Sequence, residues 1–164
     1  MTADNYIVQE MPIVGLILQS LCTIPTEGGP VLRMLRPDTP LLPDFSQGFG
    51  ELYFSEVLPG KVKAWKRHRR QTQLFAVPCG LLELVFFDNR PGSATDQVLF
   101  HTLLGRPEHY ALLRIPPMVW YGFRARGDQP ALICNFADMP HDPAECERLP
   151  ADSPAIPWLW KEQR

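Results

Sequence analysis

Gly60-Lys-Val-Lys-Ala-Trp-Lys66-Arg-His68-Arg-Arg-Gln-Thr-Gln73-Leu-Phe-Ala-Val-Pro-Cys-Gly80 is the stretch on which the reading of the fold turns. Pro59-Gly60 ahead of it and Pro78-Cys79-Gly80 at its end are turn signals. Between them lie two runs, Lys61 to Arg70 and Gln73 to Val77, with the length expected of strands. Side chains alternate across a strand. Lys66, His68 and Arg70 are therefore expected on one face with Val62 and Ala64, and Lys61, Lys63, Trp65, Arg67 and Arg69 on the other.

The same rhythm continues on both sides. Glu51 to Leu58 precedes the stretch; Leu81 to Phe87, Gln97 to Leu103, Tyr110 to Ile115, Val119 to Arg124 and Ala131 to Phe136 follow it. Asp88-Asn-Arg-Pro-Gly92 reads as a loop. Short runs punctuated by turns predict an all-β sandwich or barrel. Upstream, the turn-rich Thr26-Glu-Gly-Gly-Pro30 and Arg36-Pro-Asp-Thr-Pro40 set off an N-terminal arm, residues 1–45, from the barrel and tail, residues 46–164. Within the arm, Ile13 to Leu21 fits a strand or a short helix. Downstream, the Pro-rich tail from Pro140 to Trp160 is expected to wrap the outside as irregular chain or one short helix.

Composition narrows the function. The 164 residues suit one domain with a real core. The 16 Lys+Arg and 18 Asp+Glu leave a formal charge of -2, so no global positive field exists to hold nucleic acid. The 18 prolines oppose long helices and favour short strands. Cys22, Cys79, Cys134 and Cys146 form no C-x-x-C pair, which argues against a zinc ribbon or a thioredoxin-type site and for reduced thiols. Pro12 to Cys22 is too short to span a membrane, and no basic region leads into it. The expectation is a cytoplasmic protein with no membrane partner.

The Gly60–Gly80 stretch resembles the first motif of the cupin family: a glycine, five residues, His-x-His, three or four residues, a glutamate, six residues, a glycine. Here Lys66-Arg67-His68 stands for His-x-His, and Gln73 stands for the glutamate. Pro116-Pro-Met118-Val-Trp-Tyr121-Gly-Phe resembles the second motif, with Met118 at its glycine and Tyr121 at its histidine. Within cupins the chain is most similar to the dTDP-4-dehydrorhamnose 3,5-epimerase-like group. The resemblance runs through Gly50-Glu-Leu-Tyr-Phe-Ser55, Val62 to Thr72, Ile115 to Phe123 and Arg148-Leu-Pro-Ala-Asp-Ser-Pro-Ala-Ile-Pro157, covering about residues 48 to 160.

That resemblance implies a jelly-roll barrel, a homodimer and a sugar-nucleotide site in the barrel mouth. In the epimerases a His base sits in an Arg-Gly-x-His-x-Gln segment. Carried over by position, the Arg is Lys63, the Gly Ala64, the base Lys66 and the Gln His68. Asn135 or a neighbour stands near the family's acidic Tyr, and the family's orienting Asp lies beyond this chain's last residue.

With that register, Lys66 and His68 point into the barrel near Gln73 and Tyr121. Only His68 remains of the cupin metal ligands, and a protonated lysine repels a cation, so no metal or other cofactor is expected. A desolvated Lys66 beside His68 fits a base next to a carbonyl, or a Schiff-base amine, with Tyr121 donating to the enolate. A buried structural histidine and a lysine reaching the rim would look the same in sequence. Of the basic run, Lys63 and Arg70 are the candidate diphosphate contacts, against a solvated basic face. Gln73, Asn135 and the rings of Tyr53, Trp65 and Trp120 complete the candidate substrate set. Glu83, flanked by Leu82 and Leu84, calls for a partner such as Arg114 or Lys66 if buried. His101, His109 and His141 carry no assigned role. The readings are a metal-independent epimerase- or isomerase-like cupin acting on a nucleotide-linked sugar, a non-catalytic cupin that binds such a ligand, and a metal-dependent cupin.

Overall fold

The computed structural model describes residues 6–43 and 50–160. The expected boundary between residues 45 and 46 falls outside them. Among the described residues thirteen strands run in chain order: β1 (Val8–Glu10), β2 (Ile17–Ser20), β3 (Thr23–Ile24), β4 (Val31–Leu32), β5 (Glu51–Val57), β6 (Val62–His68) and β7 (Gln73–Cys79). Then come β8 (Leu81–Asp88), β9 (Leu99–Gly105), β10 (Ala111–Ile115), β11 (Val119–Ala125), β12 (Ala131–Ala137) and β13 (Cys146–Arg148). Among the described residues the one helical turn is a 3-10 segment, Pro143–Glu145. None of them forms a helix long and apolar enough to cross a membrane.

Two antiparallel sheets face each other. One is ordered β1-β2-β10-β7-β12-β5, the other β13-β6-β11-β8-β9, and β3-β4 is a separate hairpin. This is the expected all-β cupin jelly roll. Alternation sends Phe75, Leu113, Ile115 and Ile133 of the first sheet against Leu82, Leu84, Phe86 and Phe123 of the second. Each sheet's outer face is also covered. Leu21, Met34, Leu35 and Leu41 of the arm pack over Leu74, Ala76, Leu112 and Phe136. Leu149, Ile156, Trp158 and Trp160 of the tail pack over Trp65, Val85, Phe87 and Trp120. Covering both faces lets strands such as Leu81–Asp88 be buried almost throughout.

Three expectations change. Ile13–Leu21 divides into a turn, with Gly15 at φ +85, and strand β2, which pairs with β10. Pro78 does not end its strand: β7 continues to Cys79, and the register against β12 shifts there. The turn is made at Gly80, φ +76, where a Cβ would lie 2.7 Å from Ala131 Cα. The tail is not merely irregular, because β13 adds to the edge of the second sheet beside β6.

Candidate functional site

A cavity of about 480 Å³ opens between the two sheets, lined by β5, β6, β7, β11, β12 and β13. Its geometry starts with an irregularity in β6. Lys66 lies opposite Tyr121, but Lys63 lies opposite Phe123, so three residues of β6 match two of β11. This bulge breaks strict alternation. Lys63 joins Lys66 on the cavity side instead of facing outward with Arg67, and its Nζ donates to Ser55 Oγ at 3.0 Å and to the Glu56 carbonyl at 2.6 Å. Among the described residues, Lys66 Nζ has no hydrogen-bond or ion-pair partner. Burial pulls its pKa below the ordinary lysine value, with the nearby Arg148 charge acting in the same direction and Cys146 and Glu145 against it.

His68 is buried immediately behind the cavity wall. Its Nδ1 lies 2.6 Å from Glu145 Oε2, and its Nε2 lies 3.2 Å from Tyr121 Oη. Local sequence puts Glu145 there. Asp142 caps the 3-10 turn by accepting from Ala144 N at 2.9 Å, and Pro143 starts it. The turn delivers Glu145 beneath the end of β6, where its second oxygen accepts the backbone N–H groups of Arg70 and Gln71. Burial pushes the Glu145 carboxyl up, but those two N–H groups and His68 outweigh it, so its pKa is lowered. Burial lowers the His68 pKa, against the bond to Glu145 and helped by the Lys66 charge. Burial holds the Tyr121 phenol well above its ordinary value. An ionised Glu145 and a neutral His68 fix one tautomer: Nδ1–H donates to Glu145, and Nε2 accepts from Tyr121 O–H.

The facing wall carries a second polar chain. Asn135 Nδ2 donates to Tyr53 Oη at 2.6 Å and to Gln73 Oε1; Gln73 Nε2 donates to Gln71 Oε1 at 2.6 Å; Gln71 Nε2 donates to the Met139 carbonyl at 2.6 Å. Burial raises the Tyr53 pKa, against the Asn135 bond and with Glu51. Asn135 Oδ1 is buried with no partner among the described residues.

The structure thus brings Lys66, Tyr121, Lys63 and Asn135 to one cavity, with His68 and Gln73 supporting it from behind. It does not bring in Arg70 or Trp120. Arg70 lies beyond the end of β6, mostly exposed, with Nη2 3.8 Å from Asp142. Trp120 packs under the tail with the Arg67 guanidinium 4.6 Å above its ring. Trp65 borders the cavity, but its ring lies under the tail, 5.3 Å from that of Trp160, and its Nε1 donates to the Ala151 carbonyl. Arg67 and Arg69 are held by Glu147 on the outside. Glu83 pairs with Arg124, at 2.6 Å, rather than with Arg114 or Lys66. Among the described residues no group of three His, Cys, Asp or Glu side chains could hold a metal.

Sequence reasoning missed Glu145, Arg148 and the chemistry of Tyr53. Arg148 lies opposite Lys66 on β13 and lines the cavity mouth. Tyr53 lies opposite Asn135 across β5 and β12, so the phenol absent at Asn135 is supplied by the neighbouring strand. A carboxylate arrives from Glu145 where none was foreseen. Its one sequence signal is the Asp142-Pro143 capping pair.

No family model matches the chain. It is 36% identical over 115 residues, 68% of this chain and 72% of the relative, to the "Probable low-salt glycan biosynthesis epimerase Agl13" of Haloferax volcanii. A solved dTDP sugar isomerase from Desulfovibrio desulfuricans G20 is 56% identical, covers 91% of this chain and 92% of its own, and superposes with a TM-score of 0.86. NovW, a 4-keto-6-deoxy sugar epimerase from Streptomyces spheroides, shares the fold with a TM-score of 0.79 at 18% identity over 97% of this chain and 81% of its own. With the fold, the two-walled cavity and these relatives together, the chain belongs to the RmlC-like, dTDP-4-dehydrorhamnose 3,5-epimerase-related family of cupins.

Proposed function

We propose that this chain removes and returns a proton on the carbon beside the carbonyl of a nucleotide-linked keto sugar. One observation carries the reading: an amine with no partner among the described residues, Lys66, and a phenol, Tyr53, stand on opposite walls of one cavity. An epimerase needs that arrangement, because a centre inverts only when the proton leaves from one face and returns to the other. Neutral Lys66 takes the proton, and the C–H pair passes into the carbonyl as an enolate. Tyr53 accepts from Asn135, so its own hydrogen is left for the substrate. The buried Asn135 Oδ1 has no donor among the described residues, and a sugar hydroxyl supplies one. Arg148 and Lys63 at the mouth suit the diphosphate. The volume falls in the range of roughly 300–1,000 Å³ common for small-molecule sites. Four free cysteines suit a reducing cytoplasm, and the exposed Ile7, Val8 and Phe54 suit burial in a homodimer.

The test is incubation with dTDP-4-keto-6-deoxyglucose in D2O, followed by NMR. Deuterium is expected to enter beside the carbonyl with wild type and to be lost with Lys66→Met. Wild type that leaves every ring C–H unexchanged overturns the proposal, and binding without exchange turns the chain into a binding module. The same amine could form an imine, which borohydride would trap as a mass adduct on Lys66.

A further inference from the structure

The Glu145–His68–Tyr121 line has no task in the exchange just described. Glu145 and His68 are 5% and 6% exposed, and the three groups touch in series at 2.6 and 3.2 Å. The tautomer set by Glu145 turns the Tyr121 hydrogen toward His68, away from the substrate. The phenol oxygen therefore keeps its lone pairs for the cavity it lines. In that state Tyr121 cannot open as a donor. It can accept a proton while passing its own to His68, as a hydroxyl does when an imidazole is held by a carboxylate. Burial disfavours a free phenolate, so the two transfers are coupled.

We propose that Tyr121, with His68 as its proton sink and Glu145 as the positioning residue, takes the proton of a substrate hydroxyl, so that this site moves a carbonyl to the neighbouring carbon. The proposal rests on the proton-abstracting role given above to Lys66, with Tyr53, still the donor, here serving the carbonyl oxygen instead of the carbon. Lys66 breaks the C–H bond of the hydroxyl-bearing carbon. That pair forms the C=C bond, and the former carbonyl oxygen takes the Tyr53 proton, giving an enediol. The hydroxyl proton then goes to Tyr121 as the Tyr121 proton goes to His68. The O–H pair becomes the new C=O, and the C=C pair recovers the proton from Lys66 at the former carbonyl carbon. The carbonyl and hydroxyl have exchanged places with no net oxidation. His68 ends one proton ahead and Tyr53 one behind, and water restores both.

The same NMR sample separates this from simple exchange, because deuterium entry and carbonyl position are read independently with 13C-labelled dTDP-4-keto-6-deoxyglucose. Wild type is expected to show both deuterium entry and a moved carbonyl. In Glu145→Gln and Tyr121→Phe the ratio of carbonyl shift to deuterium entry is expected to fall by about 100-fold or more. A merely structural role would lower both readouts together. Tyr121→Phe keeps the ring's shape and covers the case in which Glu145→Gln folds poorly. Wild type that exchanges but leaves the carbonyl in place overturns the proposal, as do variants that move it at the wild-type rate. Wild type with no exchange overturns the reading of Lys66 and this one with it.

Discussion

Replacing Asp88 with Ala tests whether the far end of the second sheet is held by one carboxylate. Asp88 ends β8, is 0% exposed, and accepts five hydrogen bonds. They come from Arg90 N at 3.0 Å, Arg90 Nε at 2.8 Å, Arg90 Nη2 at 2.7 Å, Ser93 Oγ at 2.9 Å and Thr95 Oγ1 at 2.7 Å. Arg90 Nη2 and Thr95 Oγ1 in turn bond the backbone of Val14, which ties the arm to this loop. Removing the carboxylate leaves a guanidinium and two hydroxyls without their acceptor. Breaking a buried charge pair costs about 3–5 kcal/mol. Arg90 is partly exposed and the cover is one loop deep, so the lower end, about 3 kcal/mol, is expected. At about 2–4 °C per kcal/mol for a domain of this size, the midpoint falls by about 6–12 °C. Urea unfolding across pH gives a second reading. Burial pushes the Asp88 carboxyl up, but its donors hold it far below the ordinary carboxylate range. A depressed pKa stabilises fully above the unfolded value of about 3.9 and progressively less as pH falls below it. The gap between wild type and variant is therefore flat from neutrality to about pH 5 and narrows on further acidification. A gap under about 1 kcal/mol at pH 7, or one that widens in acid, refutes the reasoning. Asp88 does not border the cavity, so exchange per folded molecule is unchanged.

Gly122→Ala is expected to cost about 1–3 kcal/mol of stability in urea unfolding, because the new Cβ would lie 2.5 Å from Ala64 Cβ and 3.0 Å from Trp160 Cζ2; an unchanged midpoint refutes the close approach. The exchange turnover number of wild type is expected to rise with pH and level off below the lysine value near 10.4, since Lys66 must be neutral to act and burial, then Arg148, lowers its pKa. Arg148→Gln moves that limb to higher pH, and a stationary limb removes Lys66 as the titrating base. Tyr53→Phe is expected to lower the epimerised product by about 100-fold in an NMR time course with the fold intact by circular dichroism; wild-type rates would take the donor role from Tyr53.

The barrel was legible because both of its signals are local. Val119 to Arg124 and Ala131 to Phe136 are runs bounded by turn residues, and the strands observed extend each by one residue, to Ala125 and Ala137. Alternation within Lys61 to Arg70 puts Lys66 and His68 on one face, and the resemblance to the cupin motif makes that face the inner one. The tail strand was not legible. Cys146-Glu147-Arg148 has no β-branched or aromatic residue, and it is a strand because β6 offers it an unpaired edge. Edge availability is a property of the assembled sheet. For the same reason Glu145 had no partner in sequence space: it lies 77 residues from His68.

The bulge in β6 shows where strict alternation fails and why. Alternation from His68 and Lys66 puts Lys63 outside with Trp65. The register against β11 inserts one residue between Lys63 and Lys66, so Lys63 turns inward and reaches Ser55, while Trp65 stays outside under the tail. The partner strand accommodates the extra backbone because Gly122 lies between Tyr121 and Phe123, opposite the insertion, where any side chain would collide with Ala64. The bulge and the glycine therefore explain each other. Gly122 was visible inside Ile115–Phe123, and a glycine within a strand is a sign of close backbone approach. Which strand approaches it is set by pairing between segments some 55 residues apart along the chain. That pairing is why β6 sends two lysines, Lys63 and Lys66, to the cavity instead of one.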